Sequence, residues 1–289
     1  MVVSGKNLFV SARSTTPKRS KEMDFFIVTP SFNQRRFLQQ TIDSVLRQKG
    51  DFTVTYWVFD GGSTDDSQTL LKKYNRRLRW QSKKDKGQTA AINKGIKQLR
   101  VWLKKTKKNP DEVIFAYLNS DDYYLPGVFQ LVAKLFARTH QTWLVGDCLI
   151  VNERGRVIQS WVRKYKQFWR FWLSPSLLGV LNPIPQPGVF IKASQMLKIG
   201  LFDESLRYVM DYDYWFRLFA QSGRPIITSR ALAAFRIHSQ SKGGSQFRRQ
   251  FAEQQQVAKK YLANSFLLGL QVIHNMLINF LYQMMKTNL

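Results

Sequence analysis

The chain has 289 residues, 44% of them apolar and 14% aromatic, enough to bury a large α/β core and to exclude a wholly disordered protein. A single cysteine, Cys148, excludes a disulfide framework and a cysteine metal cluster, and reads as a buried thiol. The net charge of +26 points to anionic partners, but the cations fall in short scattered runs (18–21, 72–79, 83–86, 104–108, 163–170) with no zinc-finger, helix-turn-helix or RNA-binding signature, so no specific nucleic-acid partner is expected.

Residues 1–22 read as a basic, Ser/Thr-rich flexible tail that lacks the apolar core of a signal peptide or anchor. Residues 25–28 form a short apolar strand that stops at Thr29-Pro30-Ser31. Phe37, Leu38, Thr41, Ile42, Val45 and Leu46 then recur at helical spacing, with Ser31 or Asn33 expected as the cap. A second apolar run, 54–59, ends in Asp60-Gly61-Gly62, and Ser63 with Asp66 comes close to a capping box before a helix carrying Leu70, Leu71 and Tyr74. A third strand over 78–81 leads through Asp85-Lys86-Gly87-Gln88 into a helix marked by Ala90, Ala91, Ile92, Ile96 and Leu99. Strand, turn and helix repeated three times predict a doubly wound βαβ unit.

The run over 113–118 is followed by Asn119-Ser120-Asp121-Asp122. Continuous apolar runs bounded by turns are strands buried on both faces, so the carboxylates at their ends stand on the rim of the sheet, where open α/β sheets bind ligands. Adjacent carboxylates repel and lose solvation unless a positive group compensates them, and oxygen ligands suit Mg²⁺ or Mn²⁺. The competing reading is an acidic helix cap. His238 ends the apolar run that begins near Ile226; it reads either as a structural histidine or as a further metal contact.

Thr29-Pro30-Ser31-Phe32-Asn33, Asp60-Gly61-Gly62-Ser63-Thr64-Asp65, Asp85-Lys86-Gly87-Gln88 with Asn93-Lys94-Gly95, Asn119-Ser120-Asp121-Asp122, Phe202-Asp203-Glu204-Ser205-Leu206 and Asp211-Tyr212-Asp213-Tyr214-Trp215 follow the order seen in glycosyltransferase family 2. From Asp24 to Ser241 the chain resembles that family. The resemblance implies a GT-A fold, with a doubly wound mixed sheet and fused nucleotide-binding and acceptor halves, and inverting transfer of a sugar from a nucleotide donor with a divalent metal under the diphosphate.

Carried onto this sequence, the resemblance implies that Asp60 accepts from the N–H of the base while Thr29, Pro30 and Ser31 line its pocket. Gly62 lets the backbone approach the ligand. Asp85, Gly87 and Gln88 make a third donor contact, a solvated turn being the plainer alternative. Asp121 faces the ribose or diphosphate, Asp122 and His238 take the metal, and Lys242 closes as a lid over the diphosphate. The family's Asp-x-Asp lacks its first acid here, where Asn119 stands, and its Glu-Asp before the catalytic helix reads Met210-Asp211. Asp211 is the expected general base, while Asp213 is expected to cap the helix or pair with Arg217. Gln186-Pro187-Gly188 resembles a segment lining the acceptor side.

Two segments suggest a surface partner. Residues 161–173 interleave Trp, Phe and Tyr with Lys and Arg, as interfacial segments do. Residues 261–285 carry no charged side chain, and Gln271, Asn275, Asn279 and Gln283 recur every four residues as an uncharged polar stripe on a C-terminal amphipathic helix. That helix is expected either to lie on an anionic membrane or to pack on a protein, its own core included.

The expected organisation is a tail (1–22), a nucleotide-sugar half (23–145), an acceptor half (146–250) and C-terminal helices (251–289). The expected activity is a metal-dependent hexosyl transfer from a UDP-sugar to a saccharide or lipid-linked acceptor, in the cytoplasm at the inner face of the membrane. A catalytically weak nucleotide-sugar-binding protein on the same fold and a nucleotidyltransferase are the alternatives. The latter's Gly-rich N-terminal signature is absent, and so is the Gln-x-x-Arg-Trp of processive synthases.

Overall fold

The computed structural model describes residues 23–239 and 247–286; the basic segment 1–22 and Lys242 lie outside the described residues. Strand β1 (Asp24–Ser31) does not alternate apolar with polar because it runs through the middle of the sheet, parallel to β2 (Val54–Asp60) and β4 (Val113–Tyr117). Phe25 and Ile27 join the core layer of helices α1 (Arg35–Leu46), α2 (Ser67–Lys73) and α4 (Val128–Ala137). Phe26 and Val28, one residue out of phase, join the opposite layer built on α3 (Gln88–Thr106). There α3 lies so close to the sheet that a Cβ added at Gly95 would stand 2.5 Å from Val28 Cγ2.

The remaining elements are β3 (Arg79–Ser82), β5 (Tyr123–Tyr124), β6 (Trp143–Val151), α5 (Ser160–Arg170), α6 (Pro175–Val180), β7 (Val189–Lys192), α7 (Ala193–Ile199), α8 (Met210–Ser222), β8 (Ile226–Arg236), α9 (Phe247–Tyr261) and α10 (Ser265–Lys286). The sheet runs β3-β2-β1-β4-β7-β6-β8-β5. Its first four strands are parallel, β7 is antiparallel to both neighbours, β6 and β8 are parallel, and β5 pairs antiparallel with β8. The chain therefore builds outward through β2 and β3, then returns through α3 to the far side of β1. The order reverses between β1 and β4, and the carboxyl ends of these strands open a crevice there.

The expected helix caps are not the ones used. Asn33 is left-handed (φ 50°) and Gln34 stands at the cap of α1 without a side-chain bond. Asp65, from the loop after β2, accepts from Arg35 N at 2.8 Å and so closes the start of α1, while its other oxygen accepts from Ser67 N at 3.2 Å at the start of α2. Ser63 is no capping-box residue, since its hydroxyl accepts from Asn33 N at 2.8 Å. Desolvation would raise the Asp65 pKa, but bonds from Ser67 and the Arg35 amide outweigh it and hold the carboxyl below its usual value. One carboxylate thus ties two helix starts together.

Helix α10 is turned inside out. Gln271 and Asn275 are buried, and Gln271 Nε2 donates to Tyr212 Oη at 3.2 Å. Phe266, Ile273, Met276 and Leu277 are exposed. The side chains of Asn279 and Gln283 lie outside the described ones. Among the described residues no helix is long and apolar enough to cross a membrane. Cys148 is buried, and burial pushes its thiol pKa well up, as the composition led us to expect.

Candidate active site

The loops at the carboxyl ends of β1, β2 and β4, with the start of α3, wall a cavity of about 580 Å³. Pro30, Ser31, Asp85, Gly87, Gln88 and Asp121 line it, all expected from the sequence. The Ser31 hydroxyl is buried with no hydrogen-bond partner among the described residues, a polar atom for which a ligand in the cavity could provide a partner. Gly61 belongs to the wall because a Cβ there would come 3.3 Å from both Asp85 Oδ1 and a Phe32 ring carbon.

Other expected donor contacts stand behind the wall. Thr29 turns its hydroxyl into the sheet, 2.9 Å from Tyr56 Oη. Asp60 is almost fully buried, and its carboxylate accepts from the amides of Gly62 and Ser63 at 3.1 and 2.9 Å and from the Ser82 hydroxyl at 2.6 Å, with the Ser63 hydroxyl on its other oxygen. Gly62 needs its glycine, since its φ is +86°. In this conformation Asp60 and Gly62 shape the loop that carries Gly61 to the cavity. Asp85 does face the cavity, accepts from Gly87 N at 3.0 Å and pairs with Lys94 at 3.0 Å.

The Asn-Ser-Asp-Asp turn divides its two acids. Asp121 faces the cavity, and its Oδ2 lies 3.0 Å from His238 Nε2, which arrives from just beyond β8. Asp122 is fully buried, with Oδ1 accepting from Arg236 N at 2.9 Å and Oδ2 meeting Asn119 Nδ2 at 3.4 Å. Burial first, and then the charge of Asp121, push the Asp122 carboxyl well above the usual carboxylate range. Part of the positive compensation is already present in the protein. The buried Arg236 guanidinium donates to Asp121 O at 2.9 Å and Glu153 O at 2.8 Å and lies 4.6 Å from the centre of the Phe37 ring.

A divalent cation fits this pair chemically: a carboxylate oxygen of the cavity wall and an imidazole nitrogen lie 3.0 Å apart, and the buried second carboxylate beside them would gain from added positive charge. Among the described residues no three His, Cys, Asp or Glu side chains converge on one point.

A hydrogen-bonded chain runs from the cavity wall to the Gln186-Pro187-Gly188 turn. Gln88 Nε2 donates to Asn119 Oδ1 at 2.7 Å, Asn119 Nδ2 meets Gln186 Oε1 at 3.4 Å, and Gln186 Nε2 donates to Tyr117 O at 2.9 Å. Thr89, next to Gln88, approaches Met210 Sδ at 2.7 Å, which sets the start of α8 against the start of α3. Asp211 follows Met210; burial raises its pKa to about 6, while the Tyr212 amide, donating at 2.8 Å, and the charge of Lys166 act in the opposite sense. Asp213 is engaged elsewhere, with Arg217 at 2.9 Å as expected, and with Lys260 at 3.3 Å and Tyr261 Oη at 2.7 Å. Asn93 also serves structure: it accepts from Phe202 N at 2.9 Å and donates to Glu204 at 3.0 Å, clamping the loop before α8.

The sequence reading missed Gln34, Lys84, Asn119 and Phe235 in the cavity wall, and Arg236 beneath it. Two of these had a legible signal. Lys84 lies in a basic run beside the Asp85 turn, and Asn119 sits where an acid was expected.

Comparison with solved structures defines the fold. The chain superimposes on Staphylococcus aureus TarS (residues 1–349, in complex with UDP-GlcNAc) with a TM-score of 0.62 and 17% identity, covering 86% of this chain and 70% of that one. It also superimposes on the mannosyltransferase PcManGT of Pyrobaculum calidifontis, in complex with GDP-Man and Mn²⁺, with a TM-score of 0.57 and 13% identity over 86% and 73% of the two chains. The fold is GT-A. Residues 26–178 match the Glycosyl transferase family 2 profile, and the chain belongs to that family. An uncharacterized glycosyltransferase of Rickettsia prowazekii is 26% identical over 199 residues, 68% of this chain and 58% of that protein, so the chain spans less than two thirds of this relative's length.

Proposed function

We propose that this glycosyltransferase inverts the anomeric centre as it moves a sugar, from a UDP-sugar first of all, to a hydroxyl on a saccharide or lipid-linked acceptor in glycan, polysaccharide or glycolipid assembly at the cytosolic face of a membrane. The observation that carries the reading is the shared cavity wall. Ser31, Asp85 and Gln88 offer hydrogen-bonding groups, Phe32 offers an exposed ring to a base, and Lys84 and Lys86 place cations at the same opening. The nucleotide sugars bound to TarS and PcManGT support a donor of this class. Asp60 would meet a base only by exchanging one of its present hydrogen bonds.

Mg²⁺ or Mn²⁺ held by Asp121 or Asp122 with His238 would offset the charge of the departing diphosphate. Asp211 takes the acceptor proton: with a carboxyl pKa of about 6 it is largely ionised at neutral pH yet a stronger base than an ordinary aspartate. Met210 beside it adds no second carboxylate. Arg236 holds the Asp121 backbone, and the Asn119–Gln186 contact ties the donor wall to the acceptor wall. The test is a donor panel of UDP- and GDP-sugars, read by thermal shift with and without Mn²⁺, since a bound donor raises the melting temperature by mass action. A UDP-sugar-selective, metal-dependent shift is expected. A shift confined to GDP-sugars would move the donor assignment, and no shift with any nucleotide sugar would overturn the reading.

A further inference from the structure

Two neighbouring helices each leave several large apolar side chains exposed, although Val162 of α5 is buried and Leu268 of α10 packs on the core. On α5, Arg163 and Arg170 point inward and clamp the buried Asp147, at 2.6 and 3.1 Å, riveting the helix to β6. With these two arginines anchored inside, α5 and the turn after it leave Trp161, Phe168, Phe171 and Trp172 exposed, Trp172 at 67%. On α10 the polar stripe faces inward through Gln271 and Asn275, while Ile273 and Met276 stand 64% and 66% exposed. The helices meet where Tyr165 Oη and His274 Nε2 lie 3.1 Å apart with their rings stacked.

Isolated exposed apolar side chains need no explanation, but several gathered on two touching helices mark an interaction surface. We propose that α5 and α10 together form a docking face for an anionic lipid bilayer. Charge selects that partner. Neither helix carries an Asp or Glu, Lys164 stands exposed beside the aromatics, and the chain as a whole carries +26. An anionic bilayer meets no repulsion here, whereas a second copy of the chain would set like charges against each other. Tryptophan and phenylalanine flanked by lysine and arginine suit the headgroup boundary.

The face is also coupled to the acceptor side. Gln271 of α10 holds Tyr212, the neighbour of Asp211, and Lys166 of α5 acts on Asp211 electrostatically. Docking would thus act on elements that hold the neighbourhood of Asp211, which suits an acceptor carried on a lipid. This last step rests on the Asp211 reading above; the docking itself does not.

The experiment is sedimentation of the full chain with phosphatidylglycerol-containing vesicles and with pure phosphatidylcholine vesicles, at low and high salt, without donor or acceptor. Two double variants accompany it, Phe168→Ser with Trp172→Ser and Ile273→Ser with Met276→Ser, with circular dichroism and UDP binding as folding controls. The expected result is preferential binding to the anionic vesicles with a salt-resistant remainder, and a loss of about tenfold or more in each double variant as buried apolar area is removed. In a parallel measurement, lipids carrying a nitroxide quencher should quench the fluorescence that Trp172→Phe removes. Failure of the full chain to bind anionic vesicles at low salt, or variants that bind as well as the parent, would overturn the proposal. So would a dimer of the parent that the variants dissolve, which would assign the face to self-association. Donor binding is read separately, so loss of docking with intact UDP binding leaves the transferase reading standing.

Discussion

Asp121 Oδ2 and His238 Nε2 lie 3.0 Å apart although 117 positions separate them in the chain, because β8 leads His238 to the end of β4 where the acidic turn stands. If this contact is where a cation is held, Asp121→Asn and His238→Ala should each weaken Mn²⁺-dependent UDP binding by about ten- to a hundredfold, the range seen when groups around a metal are lost. Calorimetry with Mn²⁺ and with a chelator measures it. Affinities that do not change in either variant or on chelation would remove the metal from the site.

Asp211→Asn keeps the shape of the side chain and removes its basicity. Transfer should fall at least about a hundredfold while UDP binding stays within error. In the parent protein the rate should decline as pH drops through about 6, where the buried carboxyl takes up a proton. A rate profile flat from neutral pH to 5 would show that the titrating base lies elsewhere.

Asp213→Asn separates the two acids of α8. Asp213 binds Arg217, Lys260 and Tyr261 and so fastens α9 to α8. Loss of its charge should lower stability by about 1–3 kcal/mol, the scale of hydrogen bonds to charged groups. Once corrected for folded fraction, turnover should remain near that of the parent. Denaturant unfolding and steady-state kinetics on the same preparation give both numbers.

Asp65→Ala removes the acceptor shared by the starts of α1 and α2, and should cost about 1–2 kcal/mol, as capping carboxylates do. Because the folded carboxyl is held below its usual value, its contribution is present at pH above the unfolded carboxylate pKa and disappears as pH falls through the lower folded value. The stability gap between parent and variant should therefore narrow in acid below about pH 4, where the unfolded carboxylate titrates. A gap that is constant with pH would mean that Asp65 acts through packing.

What the sequence determined alone is what local periodicity can encode. Largely apolar strands of 7 and 5 residues, one ending in Asp60 and one followed four residues later by Asp121, mark the sheet and its rim, because a strand in the middle of a sheet is covered on both faces. The 3.6-residue spacing marks α1 and α3, and four-residue spacing pairs Asp213 with Arg217. Only the tertiary structure decided which carboxylates face the cavity. Asp60 and Asp121 both follow apolar strands, yet Asp60 is enclosed by Gly62, Ser63 and Ser82 while Asp121 looks outward. It likewise brought Arg236 under the acidic turn, 115 positions away, and Asp65 to the start of α1 across a loop. The stripe on α10 was legible as a stripe, but its direction was not. A polar face turns inward only when buried partners such as Tyr212 wait for it, and those partners are set by the packing of distant segments, of which a linear pattern keeps no record.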